Sequence, residues 1–386
     1  MSNPSSTDSI PGALTRYPVL VDRAGSLEGL RAGIAEMQGD GRVAGILILA
    51  AEENGWTPAS LDPVLAEVRR APVFGGIFPG IFHGADLLSK GTVLVGFTDP
   101  GLELFIVEDL DDLADFQVPP VRSLDVVNLV LGDGLAPGIS RLVDEFHFQI
   151  GPLATVVGGG TGSGSFRPLP SVITPLGLRE NAAVVCRFEA LCAVTTSHGW
   201  QVTSEPMKVT RSHGTVVHAI NHRPAFEVYR EALGEQLGHD VDAELFVKVA
   251  SEFPLGIQRL NQEVIVRDPV AVDPEGAMTF VGEVEEGSFV RLLRGAPSSL
   301  LEASQGARAR LDETELKDDR STLLFLLNCV SRAGFLGPRI EDEVAILAGA
   351  SAMVGALSLG EIAHEKGFKV EFLNKSTVLA RLGSTN

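Results

Sequence analysis

The stretch Leu153-Ala-Thr-Val-Val157-Gly158-Gly159-Gly160-Thr161-Gly162-Ser163-Gly164-Ser165-Phe166 governs how the chain is read. Its first five residues are apolar or β-branched and read as a buried strand, after which side chains nearly vanish. Glycine costs backbone entropy on folding, so a cluster this dense belongs where φ is positive or where something must approach the main chain closely. That something is either a ligand or a neighbouring strand or helix of the protein itself. A phosphate cradle needs a helix N-terminus behind the loop, and Arg167-Pro168-Leu169-Pro170 follows instead. The spacing Gly158-x-Gly160-x-x-x-Gly164 departs from the dinucleotide pattern, and no Gly-Lys-Ser/Thr closes a P-loop. Ser163, flanked by glycines without a strand–turn–helix context, is not a nucleophile elbow.

A chain of 386 residues exceeds one ordinary hydrophobic core and predicts two domains or three. The net charge of -19 argues against a sequence-independent grip on nucleic acid or on an anionic membrane. Three cysteines, Cys186, Cys192 and Cys329, make neither a disulfide framework nor a metal-type pair, and they fit a reducing cytoplasm. The polar leader, residues 1–17, is expected to be a disordered tail and carries no secretory signal pattern. The apolar run Thr322–Val330 is of strand length rather than a bilayer span.

Apolar residues at helical spacing (Leu27, Leu30, Ile34, Met37) predict a helix, and Val43–Ala50 reads as a strand buried on both faces. The alternation continues through a helix at Ser60–Arg70, strands at Val73–His83, Gly91–Phe97 and Val126–Leu131, and a helix from Pro137. Ala182–Phe188 and Ala190–Thr196 read as paired strands of an antiparallel hairpin or meander, extended by Met207–Arg211 and Thr215–Ile220. A charged helix from Ala225 to Leu237 follows Asn221-His-Arg-Pro224. Strands then recur at Glu263–Arg267, Met278–Val281 and Ser288–Leu293, before a helix from Ser298 to Leu311 and the strand through Cys329. No short-period repeat is visible. The expected class is α/β (mixed α+β), two modules of mixed parallel/antiparallel sheets covered by helices, divided at 221/222.

The order of these landmarks resembles the FIST family, from about Pro18 to Leu382. In the first half the resemblance rests on Phe74-Gly-Gly-Ile-Phe-Pro79 and Val157-Gly-Gly-Gly160; in the second, on Asn221-His-Arg-Pro-Ala-Phe-Glu-Val-Tyr229, Phe253-Pro-Leu-Gly256, Val266-Arg-Asp268, Gly282–Ser288, Asn328-Cys-Val-Ser-Arg332, Leu359-Gly-Glu361 and Phe372–Thr377. His222 and Arg223 stand where the family often has glycine, and Leu373 where it has histidine. The resemblance implies an N-type module over 18–221 and a C-type module over 222–386. It further implies a sensory role in signal transduction with a small ligand, amino acids or related compounds being proposed, and it supplies no reaction. Some members are associated with haem, which makes His83, His147, His213 and His364 candidates for a proximal ligand.

On the matched steps stand Arg267, Arg332, Glu361 and Asn374. An arginine after an apolar strand clamps a carboxylate and a glutamate holds an ammonium group, the chemistry of an amino-acid site; the alternative is an internal ion-pair network of Arg267 or Arg332 with Glu361. Cys329 reads as a small buried hydrophobe unless Arg332 makes its setting electropositive. The expected ligand-binding set is therefore Gly158, Gly159, Gly160, Ser163, Arg267, Cys329, Arg332, Glu361 and Asn374. The expected function is a cytoplasmic small-molecule sensor with a separate signalling partner. The alternatives are a haem-based gas sensor, an enzyme using Arg267, Cys329, Arg332 and Glu361, or a structural interaction module.

Overall fold

The computed structural model describes residues 16–151, 153–239, 242–259, 263–319, 321–364 and 369–384. Most of the expected leader lies outside them, but Tyr17 is buried, with its ring edge-on to Phe97. The architecture is mixed α+β, and both sequence halves supply mixed sheets covered by helices.

The strand runs assemble into three repeats of one design. The first comprises β1 (Val19–Asp22), α1 (Leu27–Gly39), β2 (Gly45–Ala51), α2 (Pro58–Leu65), β3 (Val73–Phe78), the hairpin β4 (Ile81–His83) with β5 (Asp86–Leu88), and β6 (Thr92–Phe97). The second comprises β7 (Glu103–Val107), β8 (Val126–Asp133), α3 (Ile139–Ile150), β9 (Thr155–Thr161), the hairpin β10 (Val172–Thr174) with β11 (Gly177–Arg179), and β12 (Ala183–Glu189).

The third begins at β13 (Leu191–Ser197) and is interrupted by a separate sheet. That inserted segment holds β14 (Gln201–Val202), β15 (Met207–His213), β16 (Val216–Ile220), β17 (Arg223–Pro224), α4 (Ala225–Leu237), α5 (Ala243–Val249), β18 (Leu255–Ile257), β19 (Ile265–Arg267), β20 (Pro269–Val272), β21 (Met278–Phe280) and β22 (Phe289–Arg294). The repeat resumes with α6 (Pro297–Asp312), β23 (Leu323–Cys329), α7 (Val330–Leu336), α8 (Ile340–Leu347), β24 (Ala352–Ser358), the hairpin β25 (Glu361–Ala363) with β26 (Glu371–Leu373), and β27 (Thr377–Gly383).

Pairing registers establish the equivalence. Ile48 of β2 lies opposite Gly75 on parallel β3 and Leu94 on antiparallel β6. Val130 of β8 lies likewise opposite Gly158 and Val185, and Leu326 of β23 opposite Gly355 and Leu379. A parallel pair requires a crossover, which α2, α3 and α7–α8 provide. The hairpins are exchanged cyclically: β4 pairs with β24, β10 with β3, and β25 with β9, with Phe82, Ile173 and Ile362 opposite the same three glycines. Beyond them, Ile77 N–H donates to Ser171 O, Gly160 N–H to Gly360 O and Leu357 N–H to Gly80 O, at 2.8, 2.8 and 2.9 Å.

Successive strand residues face opposite sides, and both sides are covered. Leu47 and Leu49, Leu129 and Leu131, and Phe325 and Leu327 meet in one core shared by all three sheets. Ile46 and Ile48 pack outward under Leu30 and Ile34, Val130 under Leu142 and Phe146, and Leu324 and Leu326 near Leu300 and Val344. This is why the strands read as continuous apolar runs.

The strands at 183–189 and 191–197 do not pair with each other, contrary to the sequence reading. β12 lies between β8 and β7, whereas β13 pairs with β27 in another sheet. The register of each is set by a partner with a complementary apolar face, and buried Ala190 carries the chain between the sheets. The inserted sheet has its own core, with Tyr229 and Leu233 of α4 on Val209, Leu255 and Met278. The 221/222 position falls inside it, where β16 and β17 pair.

Candidate functional site

Gly158, Gly159 and Gly160 lie inside β9 and are buried. A Cβ at Gly158 would stand 2.0 Å from Val130 O, and one at Gly160 2.2 Å from Leu359 O and 2.6 Å from Gly134 Cα. At Gly159 the nearest atom is Gly360 O at 3.0 Å. What comes close to this backbone is the protein's own backbone, in β8 and in the Leu359–Gly360 turn. Gly75 and Gly355 hold the equivalent places, where an added Cβ would stand 1.9 Å from Ile48 O and 1.8 Å from Leu326 O. Ser163 lies in the turn beyond β9, its hydroxyl 2.8 Å from that of Ser165.

Arg332 is fully buried, but its carboxylate partner is Glu343 rather than Glu361. Its Nε and Nη2 donate to Glu343 Oε1 at 2.9 and 2.6 Å, and further donors reach Leu300 O, Ser304 Oγ and His198 O. Asn328 Nδ2 donates to the second Glu343 oxygen at 2.7 Å. Glu361, equally buried, accepts from Ser358 Oγ at 2.7 Å and Ser376 N at 3.3 Å. Burial raises its pKa, and burial also raises that of the Cys329 thiol beside it.

Cys329 holds the ladder position that Asp133 has in the second repeat. There the Asp133 carboxylate accepts from Leu135 N at 3.0 Å and Asn181 N at 2.9 Å; here the N–H groups of Ser331 and Lys375 point at the sulfur. Arg267 is buried and spends Nε on Glu283 O and Nη1 on Phe372 O and Asn374 Oδ1, at 2.9, 3.0 and 3.3 Å. The four residues of the expected catalytic cluster are thus all engaged with protein atoms. Their chemistry holds the inserted sheet and the last hairpin to the third repeat.

A cavity of about 80 Å³ lies at that same seam. Its walls include Ser197 at the end of β13 and His198 just after it, Arg259 and Glu263, Glu371 of β26, and Ser376 just before β27. Arg259 pairs with Glu371 across it. A larger hollow of about 300 Å³ adjoins it, sharing Arg259, Lys369 and Glu371 and adding Arg267, Asp144 and Glu283. Arg267 is the one residue of the expected set on a wall of either; Asn374 stands behind it.

His198 is 7% exposed. Trp200 N–H donates to its Nδ1 at 3.0 Å, so the ring proton belongs on Nε2. Nε2 stands 3.7 Å from Glu263 Oε2, beyond hydrogen-bond reach. Burial, with the charge of Arg332, pulls the His198 pKa down to about 4, so the ring is neutral at pH 7. Among the described residues, His198 Nε2, Ser197 Oγ and Arg259 Nε are buried with no hydrogen-bond partner. Burial raises the pKa of both Glu263 and Glu371. No sequence signal marks these residues as a group, since they are spread over more than 170 positions of the chain.

His83 lies on β4, His147 on α3, His213 on β15 and His364 just after β25. Among the described residues no group of three or more His, Cys, Asp or Glu is arranged to hold a metal ion, and nothing in the placement of these histidines favours haem. Nor is any helix among those residues long and apolar enough to cross a membrane.

Comparison with known proteins agrees with this architecture. The FIST N domain model matches residues 45–223 and the FIST C domain model residues 225–364. An uncharacterised protein of Methanocaldococcus jannaschii is 26% identical over 144 residues, which are 35% of this chain and 27% of the relative. The match therefore spans about a quarter of that protein's length. With both domain models matched in order over most of its length, the chain belongs to the FIST family, whose domains are sensory modules that signal to partner proteins.

Proposed function

We propose that the protein is a cytoplasmic sensor that binds a small polar metabolite, an amino acid or a related compound, at the seam between the inserted sheet and the last hairpin. The observation that carries this reading is the cavity itself. It is lined by groups of both charge signs, Arg259 and Lys369 against Glu263 and Glu371, and by residues whose buried polar atoms have no hydrogen-bond partner among the described residues. Buried polar groups are normally satisfied, and unsatisfied ones in a concave site point to a ligand. A ligand there touches the inserted sheet and the three-repeat body together. It would favour one placement of the two over others, to the extent that it binds that placement better, and a partner protein would read the change.

Thermal unfolding in the presence of amino acids and organic acids tests the proposal. A ligand of the native state at a hundredfold excess over its Kd stabilises by about 2.7 kcal/mol, a readily measured rise in midpoint. A panel of both classes at millimolar concentration that leaves the midpoint where it was would refute it.

A further inference from the structure

We infer that the seam cavity is a carboxylate receptor, in which His198 Nε2–H, Arg259 Nε–H and the Ser197 hydroxyl receive the anionic end of the ligand. The inference rests on the proposed sensory reading of this site and adds the chemical group and its contacts.

The argument is one of donor count. Arginine has no acceptor, so Arg259 Nε presents a hydrogen to whatever it meets. His198 is equally committed: with Nδ1 accepting from Trp200 N, its one ring proton is on Nε2. Ser197 can turn its hydroxyl to donate. All three atoms belong to residues lining the same cavity, and none has a partner among the described residues. The unmet atoms are complementary to an acceptor, and charge-assisted hydrogen bonds to a carboxylate are about twice as strong as neutral ones.

Size narrows the class. A hollow of about 80 Å³ takes a carboxylate with a few carbons beside the three donors, and any longer tail must leave through the adjoining hollow of about 300 Å³ that shares Arg259, Lys369 and Glu371. Charge narrows it again. Arg259 and Lys369 are each already paired, with Glu371 and Asp144, and Glu263 stands on the wall facing His198. Glu263 Oε2 already stands 3.7 Å from His198 Nε2, so the donors must outweigh one like-charge neighbour, and each further negative charge on the ligand adds repulsion from Glu263 and Glu371; a monocarboxylate is favoured over a dicarboxylate.

Isothermal titration at pH 7.5 with acetate, propionate, glycine and alanine, each against its amide (acetamide, propionamide, glycinamide, alaninamide), separates the possibilities. The expected result is saturable binding of at least one carboxylate, with its amide at least about tenfold weaker. Ser197→Ala and His198→Asn are each expected to weaken that binding by about tenfold. Asparagine keeps an acceptor for Trp200 N while removing the Nε2 donor, so the turn has its hydrogen bond in the variant. In ¹⁵N spectra the His198 Nε2–H resonance is expected to move downfield on titration of the wild type. Amides that bind as well as their acids, with loss in both variants, would overturn the carboxylate assignment and leave the sensory site standing. Carboxylate binding untouched by either variant, with a still Nε2 resonance, would overturn this location. Failure of every acid and amide to bind would overturn the carboxylate assignment, and the sensory reading would fall with it only if the broad thermal panel were silent as well.

Discussion

Gly158→Ala distinguishes a glycine needed for strand packing from one needed for a ligand. The added Cβ would stand 2.0 Å from Val130 O, 2.9 Å from Val130 C and 3.0 Å from Val130 Cβ. Ordinary carbon contacts lie near ~3.5 Å, so β8 and β9 must part by more than about 1 Å at this point. Neither can move alone, because β8 is also laddered to β12 and β9 to β25. Overpacking a tight core typically costs about 1–3 kcal/mol, and each ladder hydrogen bond lost adds about 1 kcal/mol. The expected loss is therefore ~3 kcal/mol or more, a large part of the roughly 5–15 kcal/mol typical of a folded domain. Equilibrium urea unfolding measures it, with Gly39→Ala as the control, where a Cβ meets nothing within 4 Å. Gly75→Ala and Gly355→Ala should lose a similar amount, given 1.9 and 1.8 Å to the facing carbonyls. A Gly158→Ala protein with wild-type stability and impaired ligand binding would refute the packing argument and restore the ligand loop.

The buried charges give two more expected outcomes. Arg332→Ala leaves Glu343 buried without its partner and should cost about 3–5 kcal/mol in denaturant unfolding, whereas replacing Arg332 by Met together with Glu343 by Leu should cost much less; equal losses would mean the pair is not the unit. His198 has a folded pKa of about 4 against an ordinary 6.5, so as pH falls the unfolded chain takes its proton first. Stability from this residue is complete above pH 6.5 and is lost toward pH 4. The stability difference between wild type and His198→Asn should accordingly shift by ~3 kcal/mol between about pH 7 and pH 4. Parallel pH curves would show that His198 titrates normally in the folded protein.

Much of the secondary structure, and the family, could be read from the chain alone. Apolar runs such as Val43–Ala50 announced strands covered on both faces, and dense glycine at 158–160 announced a close approach to the main chain. What approached stayed open. The motif steps also suggested Glu361 as a partner for Arg332, because both stand on them, while the fold delivers Glu343 from α8. That three repeats exchange hairpins, so that Ile362 lies against Gly158 and Phe82 against Gly355, emerged with the tertiary pairing. Alternation along a strand records which faces are buried but not which distant strand does the burying. The repeats are further disguised by the inserted sheet, which separates β13 from β23. The cavity was illegible for the same reason: Ser197, Arg259 and Glu371 carry no common spacing, and the unmet hydrogen bonds of Ser197, His198 and Arg259 exist only once three remote segments have closed around one hollow.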